Sequence, residues 1–298
     1  MKVGFIGLGK MGSALVTRAL QDGHEVVGFD THKENSQDLK QHKNFTFAHD
    51  LKSLVDDTRI LWLMVPAGKI VDNVLDELKP HLAGRPIIVD GGNSKFTDSI
   101  RRAKELETCG VHFLDCGTSG GIRGKEIGFS LMVGGNQDAY DEIKPLLQSL
   151  AAPNGFGYMG PSGAGHYVKM VHNGIEYALM QSYAEGFHLL KDGHFKELDL
   201  AKISSVWYNG SVIRSWLLEL CHEIFLHPET LQKISGSVAE SGMAQWTIED
   251  AHKHDIPVQL IEDALEIRFW SQETGGNYAT KVVAMLRNKF GGHEVQKK

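Results

Sequence analysis

Lys169, His172, Asn173 and Glu176 lie together in the segment Lys169-Met-Val-His-Asn-Gly-Ile-Glu-Tyr177. On a helix their spacing of i, i+3, i+4 and i+7 stacks all four side chains on one face. A group able to take or return a proton, an imidazole, an amide and a carboxyl then share one wall. Met170, Val171 and Ile175 form the apolar remainder, so the polar face looks into something other than a packed core. A free lysine is protonated at neutral pH, and a site that uses it as a base must lower its pKa by desolvation or by nearby cations. Lys169 and Glu176 are two helical turns apart, about 10 Å along the axis. A substrate served by both must lie along the helix.

The chain that positions this segment has 298 residues, 42% hydrophobic and 23% charged, with a formal net charge of −6. That is long enough for two domains with real cores. The negative charge argues against non-specific nucleic-acid binding, while leaving room for a local cationic pocket. Cys109, Cys116 and Cys221 form neither a disulfide framework nor a CxxC pair, as expected of a reducing cytoplasm. No apolar run approaches a membrane span, and the strand pattern starts so close to Met1 that no leader is expected. The 15 histidines are dispersed, and no metal site is expected.

Val3-Gly-Phe-Ile6 runs into Gly7-Leu8-Gly9-Lys10-Met11-Gly12, then a helical stretch to Gln21, then the apolar run Glu25–Phe29 closing on Asp30. Strand, glycine turn, helix, strand and acid in this order define a Rossmann-type dinucleotide-binding unit. Gly7 permits the tight turn, Gly9 lets backbone approach a pyrophosphate, and Gly12 lets the helix pack on the strand. Asp30 is placed to accept hydrogen bonds from the ribose hydroxyls and to repel a phosphate there, so NAD is expected in preference to NADP. Alternation continues through Ile60–Val65 and Pro86–Asp90, two runs that read as buried parallel strands. Val65 closes the first of these runs and Asn93 follows the second, at the carboxyl ends where ligands bind in open α/β sheets. Asn93 is either a turn residue or a ligand contact. Cys116–Gly124, with Ser119, Gly120 and Gly121, is either an anion-binding concavity or a flexible connector.

Beyond Pro161 no proline occurs until Pro228, so long helices are allowed. Four of the five tryptophans (Trp207, Trp216, Trp246, Trp270) fall there and read as helical packing. The fold expected is an α/β Rossmann-type domain over residues 1–163 followed by an all-α C-terminal domain over 164–298.

Taken together, GLGKMG, IIVDGGNS, TSGG, KMVHNGIEY, GMAQWT and LRNKFGGH resemble the 6-phosphogluconate dehydrogenase family, in its short form, within the β-hydroxyacid dehydrogenases. The resemblance implies an active site between a nucleotide-binding and an all-helical domain. It implies oxidation of the carbon 3 hydroxyl of 6-phosphogluconate, loss of CO2 and protonation of an enediol to ribulose 5-phosphate, a step of the pentose phosphate pathway and of gluconate utilisation. On its motifs Lys169 is the base and Glu176 the acid, with His172 and Asn173 orienting the reacting hydroxyl. Asn93, Ser119, Gly120 and Gly121 contact the carboxylate and nicotinamide ends. Tyr177, Gln245, Thr247 and Arg268 belong to the phosphate-binding set. Arg287 and His293 match an arginine and histidine that reach in from a partner's tail in longer members, which implies a homodimer or homotetramer.

One position departs from the pattern. The family usually places lysine or arginine before Trp246-Thr247, and this chain has Gln245. A lost charged partner costs on the order of 1.5 to 3 kcal/mol of phosphate binding. Two other readings share these residues: a non-decarboxylating β-hydroxyacid dehydrogenase with a smaller substrate, and a catalytically idle nucleotide sensor. Glu176 favours decarboxylation, because oxidation alone leaves no enediol to protonate.

Overall fold

The computed structural model of the chain describes residues 1–84 and 86–297. It divides into two compact units, Met1–Lys169 and Met170–Lys298. The division falls inside a helix, whereas the composition change seen in the sequence lies ahead of it, near residue 163.

The first unit is built on one eight-stranded sheet: β1 (Lys2–Ile6), β2 (Glu25–Phe29), β3 (Phe45–Phe47), β4 (Ile60–Leu63), β5 (Ile87–Asp90), β6 (His112–Ser119), β7 (Phe129–Gly135) and β8 (Ala151–Gly160). The spatial order is β3-β2-β1-β4-β5-β6-β7-β8, in which the first six strands follow the doubly wound dinucleotide-binding order. All pairs are parallel except β6 with β7, which is antiparallel. The connections between strands carry α1 (Lys10–Gln21), α2 (Leu51–Asp57), α3 (Lys69–Leu78), α4 (Phe96–Glu107), α5 (Gly124–Ile127) and α6 (Gln137–Leu150).

Apolar runs form these strands because both sheet faces are covered. Trp62, Ile87, Val89 and Leu114 point into one core with Leu15 and Ala19 of α1 and Ile143 and Leu147 of α6. Their neighbours Leu61, Leu63, Ile88 and Phe113 point into the other, with Leu54, Val71, Leu75 and Leu106 from α2, α3 and α4. The two-residue period thus splits each strand between two layers.

The helix α7 (Ala164–Asp192) spans 29 residues and carries the chain from the first unit into the second. The second unit continues with α8 (Leu200–Gly210), α9 (Trp216–Phe225), α10 (Glu229–Gln232), α11 (Met243–Lys253), α12 (Gln259–Thr274) and α13 (Tyr278–Gly291). Its only β contact among the described residues is an isolated bridge, Ile234 with Lys297. Met180, Ala184 and Phe187 of α7 pack with α9 and α13 in the larger core. A smaller one joins Tyr177 to Ala244, Ile248, Ala264 and Leu265. Trp207 packs on Phe187, ring centroids 5.5 Å apart, as its helix position suggests, but Trp270 is 43% exposed and is not core. Among the described residues no helix is long and apolar enough to cross a membrane, and no group of three metal-ligating side chains occurs.

Candidate active site

The glycine turn between β1 and α1 separates into structural and ligand-facing positions. Gly7 has φ +94°, and a Cβ there would stand 2.4 Å from the Met64 carbonyl oxygen and 3.2 Å from Val65 Cγ1. A Cβ on Gly12 would lie 2.0 Å from the Gly7 carbonyl oxygen. Both positions are closed to any side chain by the protein itself. Gly9, the N-cap of α1, is different: nothing lies within 4 Å of where its Cβ would be. That open space at a helix N-terminus fits a pyrophosphate. Lys10 is exposed beside it, while Met11 packs partly against the core. Leu8 is a core residue, and its contribution to the turn is its backbone N–H.

That N–H is donated to Asp30 Oδ2 at 2.6 Å, and His32 N donates to Oδ1 at 2.8 Å. Burial pushes the Asp30 carboxyl up, but the His32 and Leu8 N–H groups and the Asn35 side chain outweigh it and hold the group below the ordinary carboxylate value. Asp30 is therefore an anion at the end of β2, pre-oriented by the turn it serves.

Asn93 is exposed on the loop after β5, and the loop beneath it is rigidly tied. The buried Asp90 accepts from Gly92 N at 3.1 Å and Ser94 Oγ at 2.7 Å. The buried Arg102 reaches Ser94 Oγ, Asp90 Oδ2, Asp72 Oδ1 and the Gly68 carbonyl. Asn93 is thus presented by a network that also holds the loop after Val65. Ser119 ends β6, and Gly120 (φ +131°) and Gly121 (φ +54°) turn the chain out of it. The segment Cys116–Ser119, which glycine content left open as a connector, is a buried strand paired with Leu131–Val133 and Ser130 of β7.

Lys169 is buried, its Cβ seated on Gly117 of β6, where an added Cβ would come within 2.4 Å. Lys169, His172, Asn173 and Glu176 all lie on the continuous α7. His172 Nδ1 is 3.1 Å from Asn173 Oδ1 and 3.9 Å from Glu176 Oε2. The helix face thus carries an interacting imidazole, amide and carboxylate beyond the lysine.

Within the second unit, Arg268 and Arg287 are both buried and neither has a carboxylate at ion-pair distance among the described residues. The Arg268 guanidinium stacks on the Tyr177 ring, Cζ 3.2 Å from its centroid, a cation–π contact. Its Nη1 meets the Ala239 carbonyl at 3.4 Å, and its buried Nη2 has no hydrogen-bond partner among the described residues. Burial lowers the Arg268 pKa to about 10, with Arg287 adding to the effect and Tyr177, Glu176 and Glu240 opposing it. Arg287 is lowered too, by burial. Two desolvated guanidiniums with an unused donor are prepared for an anion that accepts several hydrogen bonds.

Other members of the expected set are placed differently. The Thr247 hydroxyl lies 2.9 Å from the carbonyls of Met170 and Met243, so its proton is committed to backbone. Tyr177 OH is tied to Ser241 Oγ and Ser241 N, at 3.3 and 3.2 Å. Gln245 turns to Glu249 one helical turn on, at 3.3 Å. His293 is exposed beyond α13, its ring against Phe290, while Arg287 of this same chain is buried within electrostatic reach of Tyr177, Glu176 and Arg268. Asp90, Arg102, Asp115 and Glu240 were not singled out by sequence reasoning. The signal available for Asp90 and Asp115 was an acid at or near the end of an apolar strand.

Comparison with known proteins gives consistent results. Residues 2–173 match the family described as the NAD binding domain of 6-phosphogluconate dehydrogenase, and residues 165–297 match its C-terminal domain. A Haloferax volcanii protein named 6-phosphogluconate dehydrogenase, NAD(+)-dependent, decarboxylating, is 50% identical over all of this chain and 99% of its own length. A Salmonella typhimurium 6-phosphogluconate dehydrogenase, decarboxylating, is 36% identical, covering 91% of this chain and 61% of that one. Among solved structures, the Plasmodium falciparum 6-phosphogluconate dehydrogenase, determined in apo form and with NADP+ or 6-phosphogluconate, superposes with a TM-score of 0.84 at 30% identity, covering 92% of this chain and 62% of that one. A Mycobacterium tuberculosis 3-hydroxyisobutyrate dehydrogenase shares the fold, with a TM-score of 0.72 at 19% identity over 96% of this chain and 99% of that one.

Proposed function

The chain belongs to the 6-phosphogluconate dehydrogenase family, and from that premise we propose that it oxidises and decarboxylates 6-phosphogluconate to ribulose 5-phosphate and CO2, with NAD preferred over NADP. The observation that carries the substrate is the buried Arg268 and Arg287, which among the described residues have no carboxylate at ion-pair distance and leave a donor unused. Such a pair suits a phosphate ester and is costly without an anion. Arg287 of the chain's own α13 supplies the second charge that Gln245 does not.

Gly9, Lys10, Met11 and Asp30 would hold NAD, which when bound would supply the hydride acceptor. Lys169 takes the proton of the carbon 3 hydroxyl, oriented by Asn173 and His172. As CO2 leaves, Lys169 returns that proton to the carbonyl oxygen and an enediol forms. Glu176 then protonates the carbon that becomes carbon 1 of ribulose 5-phosphate, while Lys169 takes the enediol hydroxyl proton back and the ketone forms. Asn93, Ser119, Gly120 and Gly121 hold the carboxylate end. Tyr177 supports Arg268 from below, with Thr247, Gln245 and His293 at the margins of the phosphate site.

The three free cysteines support a cytoplasmic location. The spacing of Arg287 and His293 supports assembly into a homodimer or homotetramer.

The test is to incubate the protein with NAD and 6-phosphogluconate and to measure NADH and CO2 together. Equal yields are expected. NADH without CO2 points to a non-decarboxylating dehydrogenase, and neither product across a panel of hydroxy acids overturns the reading.

A further inference from the structure

Asp115 lies at the centre of β6, fully buried, beside Asp90 in the parallel register with β5. Asp90 has Arg102 as a cationic neighbour. Asp115 has instead the start of α7: its Oδ1 accepts from Gly163 N at 2.6 Å and its Oδ2 from His166 N at 2.8 Å. The helix has no acidic residue of its own in its first turn. A strand carboxylate therefore takes the place of a local cap and satisfies two of the helix's orphan donors, with its charge at the positive end of the dipole.

The fit around this contact is close. An added Cβ on Gly165 would lie 2.4 Å from the Asp115 carbonyl oxygen and 2.3 Å from that of Met132. One on Gly134, the residue paired with Asp115 in β7, would lie 2.6 Å from Gly165 N. Two residues along β6, Gly117 bears directly on the Lys169 Cβ. Strand and helix are thus fixed to each other twice: electrostatically at Asp115, and by bare backbone at Gly117 under the lysine. A helix seated this way has little freedom to slide or rotate on the sheet.

We infer that Asp115 is a positioning residue for Lys169, fixing the height and rotation of the first turns of α7 so that the lysine amine stands where the reacting hydroxyl is presented. This rests on the reading of Lys169 as the base. An asparagine at 115 keeps the shape but can accept only one of the two N–H bonds, and it turns its own N–H groups toward the other. The helix start must then shift, and a displacement of about 1 Å at a reacting group can lower the rate on the order of 100-fold.

The experiment compares wild type with Asp115→Asn and Gly117→Ala, the second disturbing the same seat from beneath the lysine. Three quantities are read: the Kd for NAD, the deuterium isotope effect on kcat with 3-deuterated 6-phosphogluconate, and the rate of reductive methylation of Lys169 relative to the exposed Lys10, by peptide mass spectrometry. Both variants are expected to hold Kd for NAD within about twofold while kcat falls about tenfold or more. The isotope effect is expected to rise, because a misplaced base makes the hydride step more rate-limiting, and Lys169 is expected to methylate faster. A loss of folded enzyme would lower kcat without raising the isotope effect. An unchanged isotope effect together with unchanged relative labelling overturns the inference. Labelling needs no turnover: if wild type does not oxidise 6-phosphogluconate, the functional reading fails while the seat of Lys169 is still measured. Should Asp115→Asn fail to fold, Asp115→Glu, whose longer side chain displaces both acceptor oxygens from Gly163 N and His166 N, gives the same two readouts.

Discussion

The chemistry assigned to individual side chains depends on where burial leaves charge. Lys169 is buried on Gly117, so Lys169→Met preserves its packing volume and removes only the amine. NAD affinity is expected to stay near wild type and hydride transfer to be lost. Retention of more than about a tenth of wild-type kcat would mean Lys169 is not the base. In the proposed reading Asp30 carries the cofactor choice: its carboxyl is held in the ionised form by the His32 and Leu8 N–H groups. In steady-state kinetics kcat/KM with NAD is expected to exceed that with NADP by about tenfold or more, the repulsion of one phosphate being worth at least about 1.4 kcal/mol. Asp30→Ala should narrow the ratio, and a wild-type ratio near one would remove Asp30 as the discriminator.

Among the elements, the glycine turn makes the sharpest distinction. Gly9→Ala places a methyl in open space, so its Tm should match wild type while the Kd for NAD rises about tenfold. Gly12→Ala drives a Cβ to 2.0 Å from the Gly7 carbonyl, an overpacking that costs about 1–3 kcal/mol and lowers Tm. Calorimetry paired with NAD titration separates the two, and equal loss of Tm in both would refute the division. The turn was legible in sequence because strand, glycines, helix and acid are all local. β6 was legible only in its first half. Its second half, Cys116-Gly-Thr-Ser119, has loop-like composition and is a strand because β7 folds back antiparallel and pairs with it, a tertiary effect that local propensity does not contain. Likewise the spacing of Lys169, His172, Asn173 and Glu176 announced one helix face. The capping of that helix by Asp115, 48 residues before Gly163, carried no local signal.

At the scale of the whole molecule, ion pairs link stability to pH. Hydrogen bonds from Arg102 and then Arg101 outweigh burial and hold the Asp72 carboxyl below its ordinary value. A carboxyl depressed in the folded state contributes stability that is present above its unfolded pKa, about 3.9, and is lost as pH falls through the folded value. Denaturant midpoints should therefore decline on acidification below about pH 4, less steeply in Asp72→Asn; an identical slope in that variant would exclude Asp72 from the effect. The α/β class of the first unit and the helical second unit were readable from alternation and from the proline-free stretch, whereas the strand order, including the place of the short β3, comes only from the pairing. The Arg268 and Arg287 pair was named from motifs, but its burial, its stacking on Tyr177 and its unused donor come only from packing. The central claim is that one helix bears a base and an acid used at successive steps. Rapid-quench analysis of the first turnover of Glu176→Gln tests it most directly. NADH and CO2 should form at near wild-type rates while ribulose 5-phosphate lags by about tenfold or more, whereas ribulose 5-phosphate appearing in step with CO2 at wild-type rate would contradict it.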